Sequence, residues 1–302
     1  MEHESESASL SVPRPDDPEV SVVVPVGRAD ALLGVQLRAL AGQRFDRRFE
    51  VVLACNSADA REQEAIEAAT VEAGVGRVVR AWDVRSAAYA RNEGAAAARA
   101  PVLAFCDGDD IAEPGWLAAI VDALEPGTAI GGHLDEDSLS VPGQENWRPP
   151  ATPGVLPTFM GHPYLVSANM ACWRDDFVAT GGFDLSLVRC EDIAFGFALS
   201  RLGVELRYCA DAVVAYRHRE GLRSMLEQHY LYGQGMAQVL ARIGLPDGEG
   251  GTGAGLSALK PNGQKVDQWS VPQVLRKGAL GVGRVVGTAQ EKVAARRSGG
   301  VR

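Results

Sequence analysis

Two patterns of apolar and polar positions alternate along the first half of the chain: short β-branched runs and longer segments with helical spacing. Val20–Pro25 is almost entirely apolar, which is typical of a strand buried on both faces of a sheet. The next segment places Leu33, Leu37 and Leu40 on one helical face, behind Asp30, a residue type that caps helices. Repetition of this pattern predicts parallel strands joined by right-handed helical crossovers.

The pattern predicts elements over most of the chain. It predicts strands at Val20–Pro25, Phe49–Ala54, Arg77–Ala81 and Val102–Cys106, with helices at Ala60–Ala73 and Ala87–Ala98 and after Pro114. Further on there is an apolar stretch at Leu165–Trp173, and the pattern predicts a helix at Glu191–Leu202, short strands near Leu206 and Val214, and a helix at Gly221–Ile243. The irregular, proline-rich stretch from Asp135 to Pro163 is interpreted as a functional loop region.

Composition changes at both ends and divides the chain into four parts. The first 19 residues carry six acidic side chains against Arg14 and predict a disordered acidic leader. Residues 20–243 form the expected α/β domain, and the glycine-rich segment 244–270 is typical of a linker. Residues 271–302 carry seven basic side chains against Glu291 and predict a basic tail, either helical or flexible.

Charge and cysteine usage exclude several classes of protein. The net charge of −9 argues against nucleic-acid binding, which needs a clustered basic face. The five cysteines form no C-x-x-C pair and are expected to be reduced thiols rather than a zinc site. Because the acidic amino terminus does not resemble a signal peptide and no apolar stretch is long enough to span a membrane, the sequence predicts a cytoplasmic protein.

The most informative chemistry lies directly after the strand at Val102–Cys106. Asp107, Asp109 and Asp110 follow it around Gly108, so three carboxylates are expected at the carboxyl end of a strand, where ligands gather in such sheets. Crowded carboxylates favour a hard divalent cation, and Mg²⁺ or Mn²⁺ held by two of them keeps positions open for phosphate oxygens. The spacing matches neither an EF-hand nor a P-loop.

Four sequence blocks, taken in order, resemble the family-two inverting glycosyltransferases with the GT-A fold. They are VSVVVPVGRAD, AYARNEGAAAARAPVLAFCDGDD, GGFD and CEDIAFGFALSRLG, followed by the helix-like YRHREGLRSMLEQHYLYGQGM. The resemblance covers roughly residues 20 to 240. It implies a Rossmann-like, mainly parallel central sheet flanked by helices, with a helical extension at the carboxyl end.

The resemblance also implies roles for individual residues. Asp107 and Asp109 correspond to the D-x-D motif, with Asp109 as the metal ligand, Asp107 nearer the ribose and Asp110 as an alternative ligand. Asp192 corresponds to the general base that removes the acceptor proton. The remaining assignments are Pro25, Asn56, Arg91 and Asn92 at the donor, Glu191 at the acceptor or as a helix cap, and His218 at the metal or diphosphate.

The sequence departs from the family pattern in the loop that reads the nucleotide base. Cys55 stands where an Asp is usual, so Asn56 is expected to contact the base through its amide. UDP is therefore the favoured nucleotide, with GDP or dTDP as alternatives. Since no Q-x-x-R-W block or membrane span occurs, transfer of a single sugar is expected, to a glycan, lipid-linked or small-molecule hydroxyl acceptor.

Two other functions remain open at this stage. A catalytically silent sugar-nucleotide or glycan-binding protein on the same fold is supported by Cys55. A sugar-phosphate nucleotidyltransferase is disfavoured because its G-x-G-T-R loop is missing. The basic tail is either a solubilising segment or an amphipathic helix that contacts anionic lipid on the inner membrane face.

Overall fold

Eight strands form one sheet in the computed structural model, which describes residues 17–144, 147–148, 154–246 and 270–298. The strands of this sheet are β1 (Val20–Val26), β2 (Phe49–Cys55), β3 (Arg77–Arg80), β4 (Val102–Cys106), β5 (Ile111–Ala112), β6 (Thr128–Asp135), β9 (Asn169–Trp173) and β10 (Glu205–Ala215). A separate short hairpin consists of β7 (Thr158–Phe159) and β8 (His162–Pro163).

The strand order is β3-β2-β1-β4-β9-β6-β10-β5. The first four strands pair in parallel, as do β6 and β10, whereas β9 runs antiparallel between β4 and β6. β5 is antiparallel to β10 at the edge. The predicted mainly parallel sheet is therefore confirmed, and the carboxyl ends of β1, β2 and β4 meet at one edge.

Helices cover this sheet and extend beyond it. They are α1 (Ala31–Ala41), α2 (Ala60–Ala73), α3 (Ala87–Ala97), α4 (Trp116–Asp122), α5 (Arg174–Thr180), α6 (Glu191–Arg201), α7 (Leu222–Gln238) with a π-helical turn (Val239–Ile243), and α8 (Val271–Ser298). As predicted, Asp30 caps α1, its Oδ1 accepting from the backbone N–H of Leu32 at 3.0 Å. Helix α8 covers residues 271–298 of the predicted basic tail.

An aromatic cluster joins the sheet to the chain segment before α6. Phe105 of β4 contacts the ring of Phe183 at 5.6 Å between centroids, and Phe183 packs on Phe195 of α6 at 4.9 Å. All three side chains are buried. Burial of such large rings contributes a substantial part of the core. The cluster fixes the start of α6 close to the end of β4.

The structure corrects several predicted boundaries. The apolar stretch at Leu165–Trp173 contains the strand β9, which begins at Asn169, and the two short strands predicted near Leu206 and Val214 are one strand, β10, with an irregularity after Cys209. Helix α5 and strand β6 were not predicted. In β6 the pair Gly131–Gly132 interrupts the apolar pattern, because a β-carbon at Gly132 would overlap the side chain of Asn169.

Helix α8 packs lengthwise against α7, with glycines at the contact. A β-carbon built at Gly283 would overlap the carbonyl oxygen of Tyr230, so the two backbones lie very close. Arg242 at the end of the π-helical turn pairs with Glu291, its Nε lying 2.9 Å from Oε2.

Within the described residues, none of the helices has both the length and the apolar composition needed to cross a membrane. Residues 1–16 of the expected leader and residues 247–269 of the expected linker lie outside the described residues.

Candidate active site

Three aspartates lie together where β4 ends. Oxygen atoms of Asp107, Asp109 and Asp110 are all within 4.8 Å of one another. The strand before them is completely buried, so the chain emerges from the core directly into this acidic loop. The position and the grouping of the carboxylates are those predicted from the sequence.

The loop is held by partners from distant parts of the chain. The buried side chain of Gln36 on α1 donates to the carbonyl oxygen of Asp107 at 3.0 Å and accepts from the N–H of Ala112 at 2.9 Å. The backbone N–H of Arg217 donates to Asp110 Oδ1 at 2.7 Å. Sequence reasoning missed Gln36 and Arg217. The available signal for Gln36 was a polar residue on the apolar face of α1.

A divalent cation fits the electrostatics of this cluster. Asp110 is 1% exposed, and among the described residues its Oδ2 has no hydrogen-bond partner. Burial and the neighbouring Asp107 raise the pKa of Asp110 to about 9, and burial and Asp107 also raise the pKa of Asp109. A set of carboxylate oxygens is what Mg²⁺ and Mn²⁺ prefer, so the residues present are suitable for either ion.

Arg91 joins the acidic loop to the start of α6. The residue is 4% exposed, and its guanidinium lies 2.6 Å from Asp107 Oδ1 through one terminal nitrogen and 3.4 Å from Glu191 Oε1 through the other. The negative charges on Asp107 and Glu191 keep the pKa of Arg91 raised despite its burial. The two acidic regions singled out in the sequence therefore face one cation and one another, rather than opposite sides of the molecule.

Asp192 lies in the first turn of α6, after Cys190 in the left-handed conformation with φ of 68°. Its Oδ1 accepts from the N–H of Ile193 at 2.8 Å. Burial and the adjacent Glu191 raise the pKa of Asp192 to about 7, against smaller opposing effects that include Arg91. A carboxyl group with such a pKa can accept a proton near neutral pH, which is what a general base requires.

A cavity of about 980 Å³ opens beside the acidic loop. Of the predicted donor residues, Pro25, Asn56, Arg91, Asp107 and Asp109 line it. Other side chains in its wall include Trp82, Arg85 and Arg219, which the sequence did not single out. The cavity therefore combines carboxylates, guanidinium groups and an aromatic ring at the carboxyl ends of the parallel strands, where α/β sheets bind ligands.

The side chain of Asn56 lies at the cavity wall, whereas Cys55 lies in the core. The Asn56 amide nitrogen donates to the carbonyl oxygens of Ala81 and of Val84, the latter at 2.8 Å. Cys55 is fully buried, and burial raises the pKa of its thiol. All five cysteines are free thiols, as predicted. Four residues of this loop line the cavity: Asn56, Ser57, Ala58 and Asp59.

Asn92 contacts the backbone of the GGFD segment. Its Nδ2 donates to the carbonyl oxygen of Phe183 and its Oδ1 accepts from the Phe183 N–H, both at 2.9 Å. The structure therefore places Asn92 where it connects α3 to the chain before α6. Its predicted contact with a donor stays a prediction.

His218 lies outside the three-aspartate cluster. Its Nε2 is 3.4 Å from Glu136 Oε1, and its ring contacts Tyr216 at 5.1 Å between centroids. Both His218 and Tyr216 line a second cavity, of about 730 Å³. The acidic cluster influences the Tyr216 hydroxyl, since Asp107, Asp109 and Asp110 all contribute to raising its pKa, after burial. Because Asp110 also accepts from the N–H of Arg217, the residue after Tyr216, the second cavity neighbours the acidic loop.

Comparisons with known proteins agree with this geometry. The family model described as "Glycosyl transferase family 2" matches residues 21–177. The pre-mycofactocin glycosyltransferases of two strains of Mycobacterium tuberculosis are 30% identical over 165 residues, which are 51% of this chain and 35% of theirs. The matched part thus spans about a third of the length of these relatives.

Two solved structures share the fold. The mannosyltransferase PcManGT from Pyrobaculum calidifontis, in complex with GDP-Man and Mn²⁺, has a TM-score of 0.58 at 16% identity and is matched over 95% of this chain and 76% of that one. S. aureus TarS 1–349 in complex with UDP-GlcNAc has a TM-score of 0.53 at 14% identity, over 93% and 92% respectively. At such identities the likeness concerns the fold alone.

Proposed function

The chain belongs to glycosyl transferase family 2 and has the GT-A fold; from this premise we propose that it transfers one sugar, with inversion, from a nucleoside diphosphate sugar to a hydroxyl acceptor. The observation that carries the proposal is that Arg91 joins the three-aspartate cluster, through Asp107, to Glu191, the residue next to Asp192 at the start of α6. The domain proposed to act is residues 20–243.

On the donor side, the carboxylates of Asp109 and Asp107 would hold Mg²⁺ or Mn²⁺, with Asp110 as a further ligand. When bound, the ion would neutralise charge that develops on the departing diphosphate. Arg91, held by Asp107, and Pro25 and Asn56 in the cavity wall would position the donor. The PcManGT complex with GDP-Man and Mn²⁺ and the TarS complex with UDP-GlcNAc support a donor of this class. UDP remains the favoured nucleotide of the donor.

On the acceptor side, Asp192 would take the proton from the attacking hydroxyl. Direct inversion places this base opposite the leaving diphosphate, and the start of α6 lies across Arg91 from the acidic loop. Glu191, paired with Arg91, would hold an acceptor hydroxyl. The raised pKa of Asp192, about 7, supports catalysis rather than silent binding, because a binding protein needs no proton acceptor there.

A screen of nucleotides by thermal shift tests this proposal. UDP, GDP, dTDP and CDP are each compared with and without Mn²⁺ or Mg²⁺. We expect one nucleotide to raise the melting temperature only when the metal is present, because binding to the native state stabilises it. A shift that is equal with and without metal for every nucleotide would contradict the metal-dependent donor site.

The exposed face of α8 is proposed to contact anionic lipid. Val282 and Val285 are 56% and 71% exposed there, and exposed Arg296 and Arg297 follow on the same helix. An apolar face bordered by basic residues is typical of helices that lie on membrane surfaces. Such contact would bring the enzyme to lipid-linked acceptors.

A further inference from the structure

The second cavity, of about 730 Å³, lies on the acceptor side of the proposed site. Tyr164 and Tyr232 line it, and the Asp192 charge contributes to raising the pKa of each of these tyrosines, after burial. Tyr216 lies in the same wall, and after burial the charges of the three aspartates contribute to raising the pKa of its hydroxyl. Two contacts place the cavity near both acidic regions: the thiol of Cys190, two residues before Asp192, contacts the carbonyl oxygen of Tyr232 at 3.6 Å, and Asp110 accepts from the N–H of Arg217, next to Tyr216. An acceptor bound in the cavity would be close to both regions.

Arg276, from the first turns of α8, is buried in the wall of this cavity. It is 9% exposed, and its Nε has no hydrogen-bond partner among the described residues. No carboxylate of the described chain pairs with it. Buried polar groups are normally satisfied, so this buried guanidinium, with an unpartnered Nε and no described carboxylate paired with it, indicates a missing anion.

A second guanidinium faces the same space. Arg148 lines the cavity, and its described hydrogen bond is to the carbonyl oxygen of Arg219 at 3.2 Å. Glu136 acts on Arg148 electrostatically, but the Glu136 carboxylate pairs with His218. The two guanidinium groups and the one carboxylate of Glu136 thus leave an excess of positive charge in the wall of this cavity, although the whole chain has a net charge of −9.

The excess of positive charge helps to lower the pKa values of basic groups in the cavity wall. Burial and Arg148 lower the pKa of Arg276, and burial lowers the pKa of His229 to about 4, with contributions from Arg276, Arg148 and His218. His229 is therefore neutral, its Nδ1 bonded to the carbonyl oxygen of Met225 at 2.9 Å. The positive potential comes from the two guanidinium groups, which are close enough to repel each other.

We propose that Arg276 and Arg148 bind an anionic oxygen group, a phosphate or a carboxylate, on the acceptor. Guanidinium groups bind both kinds of anion with paired, charge-assisted hydrogen bonds. The inference rests on the proposed function and specifies its acceptor: a hydroxyl compound whose hydroxyl reaches Asp192 while its anion lies against α8. The tail helix then completes the acceptor site.

Anion binding by the full chain tests the proposal without a sugar-transfer assay. The melting temperature is measured with sodium phosphate, with sodium acetate and with sodium chloride at equal ionic strength, in EDTA. We expect phosphate or acetate at ten times its Kd to raise the melting temperature by about 2–4 °C over chloride. Arg276→Gln and Arg148→Gln should each weaken this binding at least about tenfold.

Arg297→Gln is the matched control, since Arg297 is an exposed arginine on the same helix. It should keep the wild-type shift. Arg276→Gln should fold without loss of melting temperature in chloride, because it removes an uncompensated buried charge. The proposal is overturned if neither anion stabilises the wild type over chloride, or if Arg276→Gln and Arg148→Gln keep the full shift. The nucleotide screen is independent of this result, so failure here leaves the donor site standing.

Discussion

At the scale of single residues, Arg91 is the cation that lies between the two acidic regions. Four carboxylates, those of Asp107, Asp109, Glu191 and Asp192, lie near this buried guanidinium or near its partners. A carboxylate that stays ionised next to another needs a nearby cation. Arg91 supplies that cation between the two acidic regions, and the three-aspartate cluster keeps uncompensated negative charge that suits the proposed divalent ion.

The first prediction concerns Asp192. Asp192→Asn should reduce kcat/KM about 10²-fold or more, because the variant has no carboxylate to accept the acceptor proton. Wild-type activity should fall below pH 7, since the base is protonated there, its pKa being about 7. Steady-state kinetics between pH 5 and 9 measure both effects. Turnover that is unchanged in the variant would remove Asp192 from this role.

Stability separates loss of the base from loss of the fold. The pKa of Asp192 is raised in the folded state, so its contribution to stability is fully present at low pH and decreases as pH rises toward 7. Removing the carboxylate removes this penalty. Asp192→Asn should therefore melt at or above the wild-type temperature at pH 8, which thermal denaturation checks. A lower melting temperature would point to a structural cause for any loss of activity.

Local sequence was sufficient to single out the residues proposed to carry the chemistry, and insufficient for the residues around them. Asp107, Asp109 and Asp192 follow or begin elements with strong local patterns, so their positions could be predicted. Gln36 bonds to the acidic loop, and Arg276 lies in a cavity wall, only because the fold brings them to residues far away in the chain. Their roles depend on tertiary packing, which periodicity does not report.

At the scale of elements, the contact between α7 and α8 depends on glycine. Gly283 lies where the backbone of Tyr230 leaves no room for a side chain. Gly281 lies on the same helix with no atom within 4 Å of a β-carbon placed there. The two positions differ in environment but not in secondary structure, so they form a matched pair.

Gly283→Ala should destabilise the protein by about 1–3 kcal/mol, because the helices must separate to admit the methyl group. Gly281→Ala should be neutral or stabilising by up to about 1 kcal/mol, since alanine is the better helix former. Denaturant unfolding of both variants measures the difference. Equal effects of the two substitutions would contradict the packing of α8 on α7.

The elements that were predicted well are those with a single strong period. The predicted helix at Ala60–Ala73 coincides with α2, and the strand at Val102–Cys106 coincides with β4. β6 was missed because its glycines accommodate a neighbouring side chain, and the start of β9 inside the apolar stretch Leu165–Trp173 was not predicted because the buried residues before it share its apolar composition. Burial without periodicity does not distinguish a strand from a packed loop.

At the scale of the whole molecule, α8 has two faces with different roles. One face packs on α7 and carries Arg276 into the second cavity, and the other exposes Val282 and Val285. The sequence predicted the basic character of this segment and left its helical state open. Only the fold shows that the segment reaches the proposed acceptor site.

Vesicle binding tests the outer face. The full chain should co-sediment with vesicles containing phosphatidylserine and not with neutral vesicles, because the basic residues add about 1 kcal/mol each near an anionic surface. The double variant Val282→Asp, Val285→Asp should lose this binding. Thr288→Asp, at another exposed position of α8, is the control and should lose less. Equal binding by all three proteins would contradict the proposed membrane contact.

The most direct test of the central claim is calorimetric titration of the nucleotide selected by the screen, with Mn²⁺, into the wild type, Asp109→Ala and Asp192→Asn. The account predicts that Asp109→Ala loses at least about tenfold in affinity, because a metal-ligating carboxylate is gone, while Asp192→Asn binds like the wild type. Wild-type affinity in Asp109→Ala, or affinity that does not depend on Mn²⁺ in the wild type, would contradict it.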